Sequence, residues 1–289
     1  MAAALNGARQ KSVTATSWVL VIGGLAALYI PTFYDAARTL WRMDEHAHGP
    51  IVLAVIVWLF WDKRQIFLSA PEKPRPITGV TLFLLGLVLY VIGRSQNVAV
   101  FEFAAVTPIL AGIVLSILGC NALRALWFPL LFVTFLVPLP GTVLDALTVP
   151  LKEQVSTAAE HVLYFAGYPV AREGVVISVG PYQLLVADAC SGLQSLFTLA
   201  ALGLLVMYLM ARKSVLHNGI MLASIIPIAF CANLLRVVIL ILITYHFGDN
   251  AGQGFLHYAA GIVMSMISLA GVLGLDSALA RAIQSPARS

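Results

Sequence analysis

The chain has 289 residues, of which 60% are hydrophobic and only 10% charged. Soluble domains carry about 25% charged residues, so a fully water-facing surface is excluded. The net charge of +4 then reflects basic loops beside a membrane rather than a nucleic-acid partner.

A membrane helix takes about 20 apolar residues. Runs of this kind lie near 16–34, 48–62, 77–93, 101–119, 126–141, 187–211, 216–246 and 256–280, the second and fifth being short. They predict an all-α polytopic membrane protein of about eight transmembrane helices, a single domain over 16–280 between a tail at 1–15 and another at 281–289. The first run has no small-x-small cleavage site, because Tyr29, Ile30, Pro31 and Phe33 are bulky or rigid, and it reads as a retained span. The run 216–246 is too long for one straight crossing. It must tilt, extend beyond the lipid or break near Pro227. No clear internal repeat is visible.

Charge orients these runs. With the N-terminus cytoplasmic, the inner loops hold Arg9, Lys11, Lys63, Arg64, Lys73, Arg75, Arg124, Arg212, Lys213, Arg281 and Arg288. The outer segments hold Arg38, Arg42, Arg94, Lys152 and Arg172. This asymmetry follows the positive-inside rule, with both termini cytoplasmic.

The outer side also collects the unusual residues. "RMDEHAHGP" (Arg42 to Pro50) precedes the second run. The longest break between runs, about 142–186, begins with Leu147, Leu151, Val155, Ala158, Ala159 and Val162 at helical spacing. That pattern predicts an amphipathic helix at the membrane interface. "VVISVGPYQLLVA" then gives two β-branched, apolar runs around Gly180-Pro181, a short hairpin. Helix and hairpin form a small extracytoplasmic cap.

Three polar residues of the last spans stand out. Arg236, in "ANLLRVVILIL", costs about 2.5–3.5 kcal/mol to insert, and the apolar residues around it do not explain the charge. Cys120, Cys190 and Cys231 are too scattered for a metal spacing or a disulfide framework, and an isolated cysteine in an apolar helix behaves as a small hydrophobe. Cys190 differs in its company, "ADACSGLQS". Asp188 is a candidate N-cap there, which puts Cys190 in the first turn of a helix, where the dipole favours thiolate. The negative charge of Asp188 opposes that shift, and Ser191 keeps the surroundings polar. His257 opens the last run on the same outer side.

A cysteine, an arginine and a histidine on three consecutive spans can carry out acyl transfer. The thiolate attacks a carbonyl, the imidazole moves protons, and the guanidinium stabilises the oxyanion. No G-x-S-x-G elbow or H-E-x-x-H pair occurs. His46 and His48 lack a third ligand nearby, so neither metal nor cofactor is expected. A transporter or channel with Arg236 as its anion-binding residue, and a non-catalytic component of exopolysaccharide export, are the rival readings.

Taken together, "ADACSG", "NLLR" (Asn233 to Arg236), the histidine opening the last span, "HxHG" (His46 to Gly49) and "REG" (Arg172 to Gly174) resemble the exosortase/archaeosortase family over roughly 16–280. The length matches a stand-alone enzyme and leaves the subtype open, B-type among the options. The resemblance implies a cysteine transpeptidase of the bacterial inner membrane, its site facing the periplasm. It implies a thioester at Cys190, with Arg236 and His257 catalytic, and Asp188, Ser191, Asn233, Glu173, His46 and His48 as supporting candidates. The implied substrates are secreted proteins ending in a Pro-Glu-Pro-type motif, a membrane helix and a basic tail. The implied acceptor is a lipid or polysaccharide precursor, in a context of exopolysaccharide or biofilm production.

Overall fold

The computed structural model describes residues 2–43, 46–68, 74–185, 193–212, 214–248 and 255–284. The chain divides into two compact units, Met1–Pro50 and Ile51–Ser289. In the first, helix α1 (Ala2–Arg38) leads into a 3-10 turn, Leu40–Arg42. Trp41 stacks on Phe33 with ring centroids 6.1 Å apart. Its indole occupies the space that any side chain at Gly49 would need, so the HxHG stretch has to close on a glycine.

The second unit continues through α2 (Gly49–Asp62), α3 (Arg64–Leu68) and α4 (Pro76–Gln96). Helices α5 (Ala99–Ala104) and α6 (Val106–Ile117) return along α4. Two turns of helix, α7 (Cys120–Ala125) and α8 (Trp127–Phe132), end in a 3-10 turn, Val133–Leu136, that reaches α5. The sequence predicts a run to 141 here, but Pro138 and Pro140 stop the helix early by removing backbone donors. Next come α9 (Gly141–Phe165), three strands, then α10 (Leu193–Met210), α11 (Val215–Phe247) and α12 (Phe255–Gln284). Among the described residues, four segments are long and apolar enough to cross a membrane: Ser17–Arg42, Pro76–Gln96, Ala99–Ile117 and Val215–Phe247. Gly49–Asp62, Trp127–Leu136 and Thr198–Met210 are shorter apolar helices. The fold is the mostly helical, polytopic membrane architecture that the sequence predicts.

Helices α4 and α6 pack backbone to backbone. Gly79, Gly86 and Gly93, seven residues apart, are all buried. A Cβ at Gly86 would stand 2.9 Å from the Ile109 amide nitrogen, and one at Gly93 would stand 2.7 Å from that of Glu102. From the other side, a Cβ at Gly112 would come within 2.6 Å of the Phe83 nitrogen. Lipid tails are as apolar as leucine, so helices in membranes associate through such close approaches.

α11 is one unbroken helix of 33 residues with Pro227 inside it, about 50 Å long. Of the three options for this run, a break is ruled out. A hydrocarbon layer of about 30 Å takes some twenty residues of an upright helix, so one of this length tilts or extends beyond it. The later half of α11 is covered on one side. Val237, Leu240 and Ile241 share a core with Val155, Ala159 and Leu163 of α9 and with Ile177 and Val179 of the sheet. The cap helix therefore buries the stripe Val155, Ala159, Leu163 against α11, while Val162, expected on the buried face, is 47% exposed.

The sheet has one strand more than the hairpin read from sequence. β1 (Val170–Glu173), β2 (Val176–Val179) and β3 (Tyr182–Leu185) form an antiparallel meander. The extra turn sits at Gly174, whose φ of +61° suits glycine, as does the +54° of Gly180. Arg172 ties β1 to the cap helix, its Nε donating to Glu160 Oε2 at 3.0 Å and its Nη1 to the Gly174 carbonyl at 2.7 Å.

The glycine packing makes a direct prediction. Gly112→Ala should cost about 1–3 kcal/mol by overpacking, seen as a lower unfolding midpoint in detergent. Gly274→Ala, with nothing within 4 Å of the new methyl, should leave the midpoint unchanged. Equal midpoints for both variants would contradict the close approach.

Candidate active site

The site is framed by α9, the sheet and the three consecutive helices α10, α11 and α12. Two buried hydroxyls in this region are satisfied within their own helices: Ser156 Oγ donates to the Lys152 carbonyl at 2.7 Å and Thr244 Oγ1 to that of Leu240 at 2.9 Å. Such local bonding meets the demand of burial without further partners. Arg236 is different in kind. Its side chain is long and permanently charged, yet it is only 8% exposed, between the cap core residue Val237 and half-buried Asn233 one turn earlier on the same helix.

The helix register gives the level of Arg236. Gly203 of α10 faces Ile225 of α11 so closely that a side chain there would clash. Ten residues toward the cap from this contact lie Leu193, where α10 begins, and Leu235, one residue before Arg236. The chain that leaves β3 thus enters α10 at the level of Arg236. Gly271 of α12 approaches Ile228, and the Asp276–His217 contact shows that the two helices are antiparallel. Stepped from these two contacts, His257 starts between level with Arg236 (from Asp276–His217) and about 9 Å nearer the cap (from Gly271–Ile228), a gap of less than two helical turns. A peptide bond and two side chains fill a gap of that size.

Of the residues singled out in the sequence, Arg236 and Asn233 fall on one face of α11. His257 is the third residue of α12, described by its backbone. Asp188, Cys190 and Ser191 lie outside the described residues. Glu173 ends β1, paired with Val176 and exposed, on the opposite face of the sheet from Arg172. His46 and His48 belong to the other unit, their rings 6.5 Å apart. Among the described residues, no group of three or more His, Cys, Asp or Glu could hold a metal.

Sequence reasoning missed the cap's own aromatic edge. Tyr168 Oη and His246 Nε2 are 3.3 Å apart. The Tyr245 ring stands perpendicular to both neighbours, against Gly180 at the sheet turn. The "YH" ending α11 was readable as an interfacial pair; its partner Tyr168 was not.

A protein-family model described as transmembrane exosortase matches residues 40–274. The chain belongs to the transmembrane exosortase family. The match takes in HxHG, the cap, Cys190, and the helices that carry Arg236 and His257. It agrees with the resemblance read from the motifs and leaves the subtype unassigned. Comparisons with curated proteins and with solved structures find no match.

One titration outside the spans is predictable. Burial, and secondarily the charge of His46, hold His48 below the ordinary imidazole pKa of 6.5, so it is neutral at pH 7. Its contribution to stability is present above that value and lost as pH falls through the folded-state pKa. Histidine NMR should show a midpoint below the ordinary value. His46→Gln should raise it only in part, because burial is the larger cause; a midpoint at or above the ordinary value would contradict this.

Proposed function

We propose that the chain is a membrane cysteine transpeptidase in which Cys190, Arg236 and His257 act on one peptide bond at the outer edge of the hydrocarbon. The supporting observation is the buried Arg236 level with the chain's entry into α10. Cys190 lies three residues before Leu193 in sequence, and three residues span at most about 11 Å in any conformation. From Leu185, the end of β3, five residues span at most about 18 Å. In this reading the chain segment between Leu185 and Leu193 brings the nucleophile to the guanidinium.

The reaction has two halves. The Cys190 thiolate adds to the carbonyl carbon, and Arg236 holds the charge that develops on oxygen. The C–N bond breaks, His257 gives its proton to the departing amine, and the acyl group remains on sulfur as a thioester. His257 then takes a proton from the acceptor nucleophile, which attacks the thioester and releases the thiolate. Arginine suits the buried position because it stays charged where lysine loses its proton readily.

The substrates in this reading are secreted proteins with a tripartite C-terminal signal: a Pro-Glu-Pro-type motif, a membrane helix and a basic tail. The acceptor is a lipid or polysaccharide precursor. Both termini are cytoplasmic in the bacterial inner membrane, and the cap and site face the periplasm. An apolar tail helix can approach from the lipid with its scissile bond just above the hydrocarbon, where α11 carries Arg236. This geometry favours peptide-bond chemistry over transport.

Co-expression with a tagged protein bearing such a tail tests the reading. Cys190→Ala should abolish processing while the protein still inserts. Arg236→Lys should lower turnover by on the order of 10²–10³-fold, the usual loss with one oxyanion donor. Processing at the wild-type rate by Cys190→Ala would overturn it.

A further inference from the structure

At the end of the three-helix unit remote from the cap, one carboxylate joins three segments. Asp276 of α12 is 5% exposed. Its Oδ2 accepts from Nη2 of Arg212, in the link between α10 and α11, at 2.9 Å. Its Oδ1 lies 2.8 Å from Nε2 of His217, in the first turn of α11 and 3% exposed. The link is itself held in shape: Asn218 Nδ2 donates to the Arg212 carbonyl at 3.0 Å, and Ser214 Oγ accepts from the His217 amide at 3.2 Å.

Above this cluster the helices meet through Leu199, Val206, Met221, Ile225, Ala229 and Val272. Aliphatic contacts of this kind tolerate repacking with little change in what is buried, and lipid competes for the same surfaces. They bring helices together but set their relative height weakly. A carboxylate with both oxygens committed is directional, and moving either partner leaves a buried charge uncompensated. A slip of one helical turn would carry α12 about 5.4 Å along α11, moving His257 by a full turn against Arg236.

We propose that Asp276 is a positioning residue: by binding Arg212 and His217 together, it sets the axial register of α10, α11 and α12, and so the relative heights of Cys190, Arg236 and His257. Its effect on turnover rests on the transpeptidase reading above; its effect on register does not. Asp276 touches no reacting atom. It acts along helices that are rigid at this length.

Two measurements separate these effects. The first places spin labels at Phe247 of α11 and Val263 of α12, which are both exposed, and compares their distance in wild type and Asp276→Asn. The distance should change or broaden in the variant. It should return in part in the exchanged pair Arg212→Asp with Asp276→Arg, which rebuilds the bond between the link and α12 but not the His217 contact. Arg212→Gln, which leaves the His217 contact in place, should give a smaller change and guards against a variant that does not fold. The second follows processing of the tail substrate. Asp276→Asn should reduce kcat roughly tenfold to a hundredfold, as misplacement by about an ångström does, with KM unchanged and activity regained in part in the exchanged pair. An unchanged label distance in Asp276→Asn would overturn the proposal, as would an exchanged pair no better than the single variant. If wild type processes no tail substrate, the transpeptidase reading fails instead, and the label distances still decide the register claim.

Discussion

The structure depends on one mismatch of lengths. α11 runs unbroken for 33 residues, about 20 Å more than a hydrocarbon layer needs. It is apolar along most of its length, and Val237, Leu240 and Ile241 form a face that needs a partner. The cap resolves this by folding the α9 stripe and one sheet face around it. In doing so it surrounds with protein the part of α11 next to Arg236. The cap is thus part of the site's construction as well as a cover.

Two packing strategies divide the second unit. The hairpin of α4 with α5 and α6 relies on glycines that let backbones touch, with one ion pair, Arg94 to buried Glu102, at the end where α4 meets α5. The α10–α12 group relies on aliphatic contacts plus one doubly bonded carboxylate. Stacking of Phe128 on Tyr208, with parallel rings 3.8 Å apart, joins α8 to α10. The scaffold is built from shape, whereas the site-bearing helices are indexed by charge.

Much of this was legible in the sequence. Apolar runs gave the helices to within a few residues, because length and composition decide membrane insertion. Arg236 stood out because no apolar helix requires a guanidinium. The third strand went unread because Glu173-Gly174 is a weak turn signal until the left-handed φ at Gly174 is seen. The spacing of Gly79, Gly86 and Gly93 was plain in the sequence, but its meaning needs a partner helix. The joining of Arg212, His217 and Asp276 spans 64 residues, a distance across which no local pattern operates. Of the three options for α11, tilt, extension or a break near Pro227, only the break is excluded, because the helix runs through Pro227 unbroken.

The central claim is that Cys190 carries the acyl group within reach of Arg236. The direct measurement is mass spectrometry of the protein isolated while turning over a tail substrate, with and without hydroxylamine. A hydroxylamine-labile substrate adduct on the peptide containing Cys190, and on neither the Cys120 nor the Cys231 peptide, is the predicted result. Processing of the substrate with no such adduct at Cys190, or with the adduct at another cysteine, would contradict it.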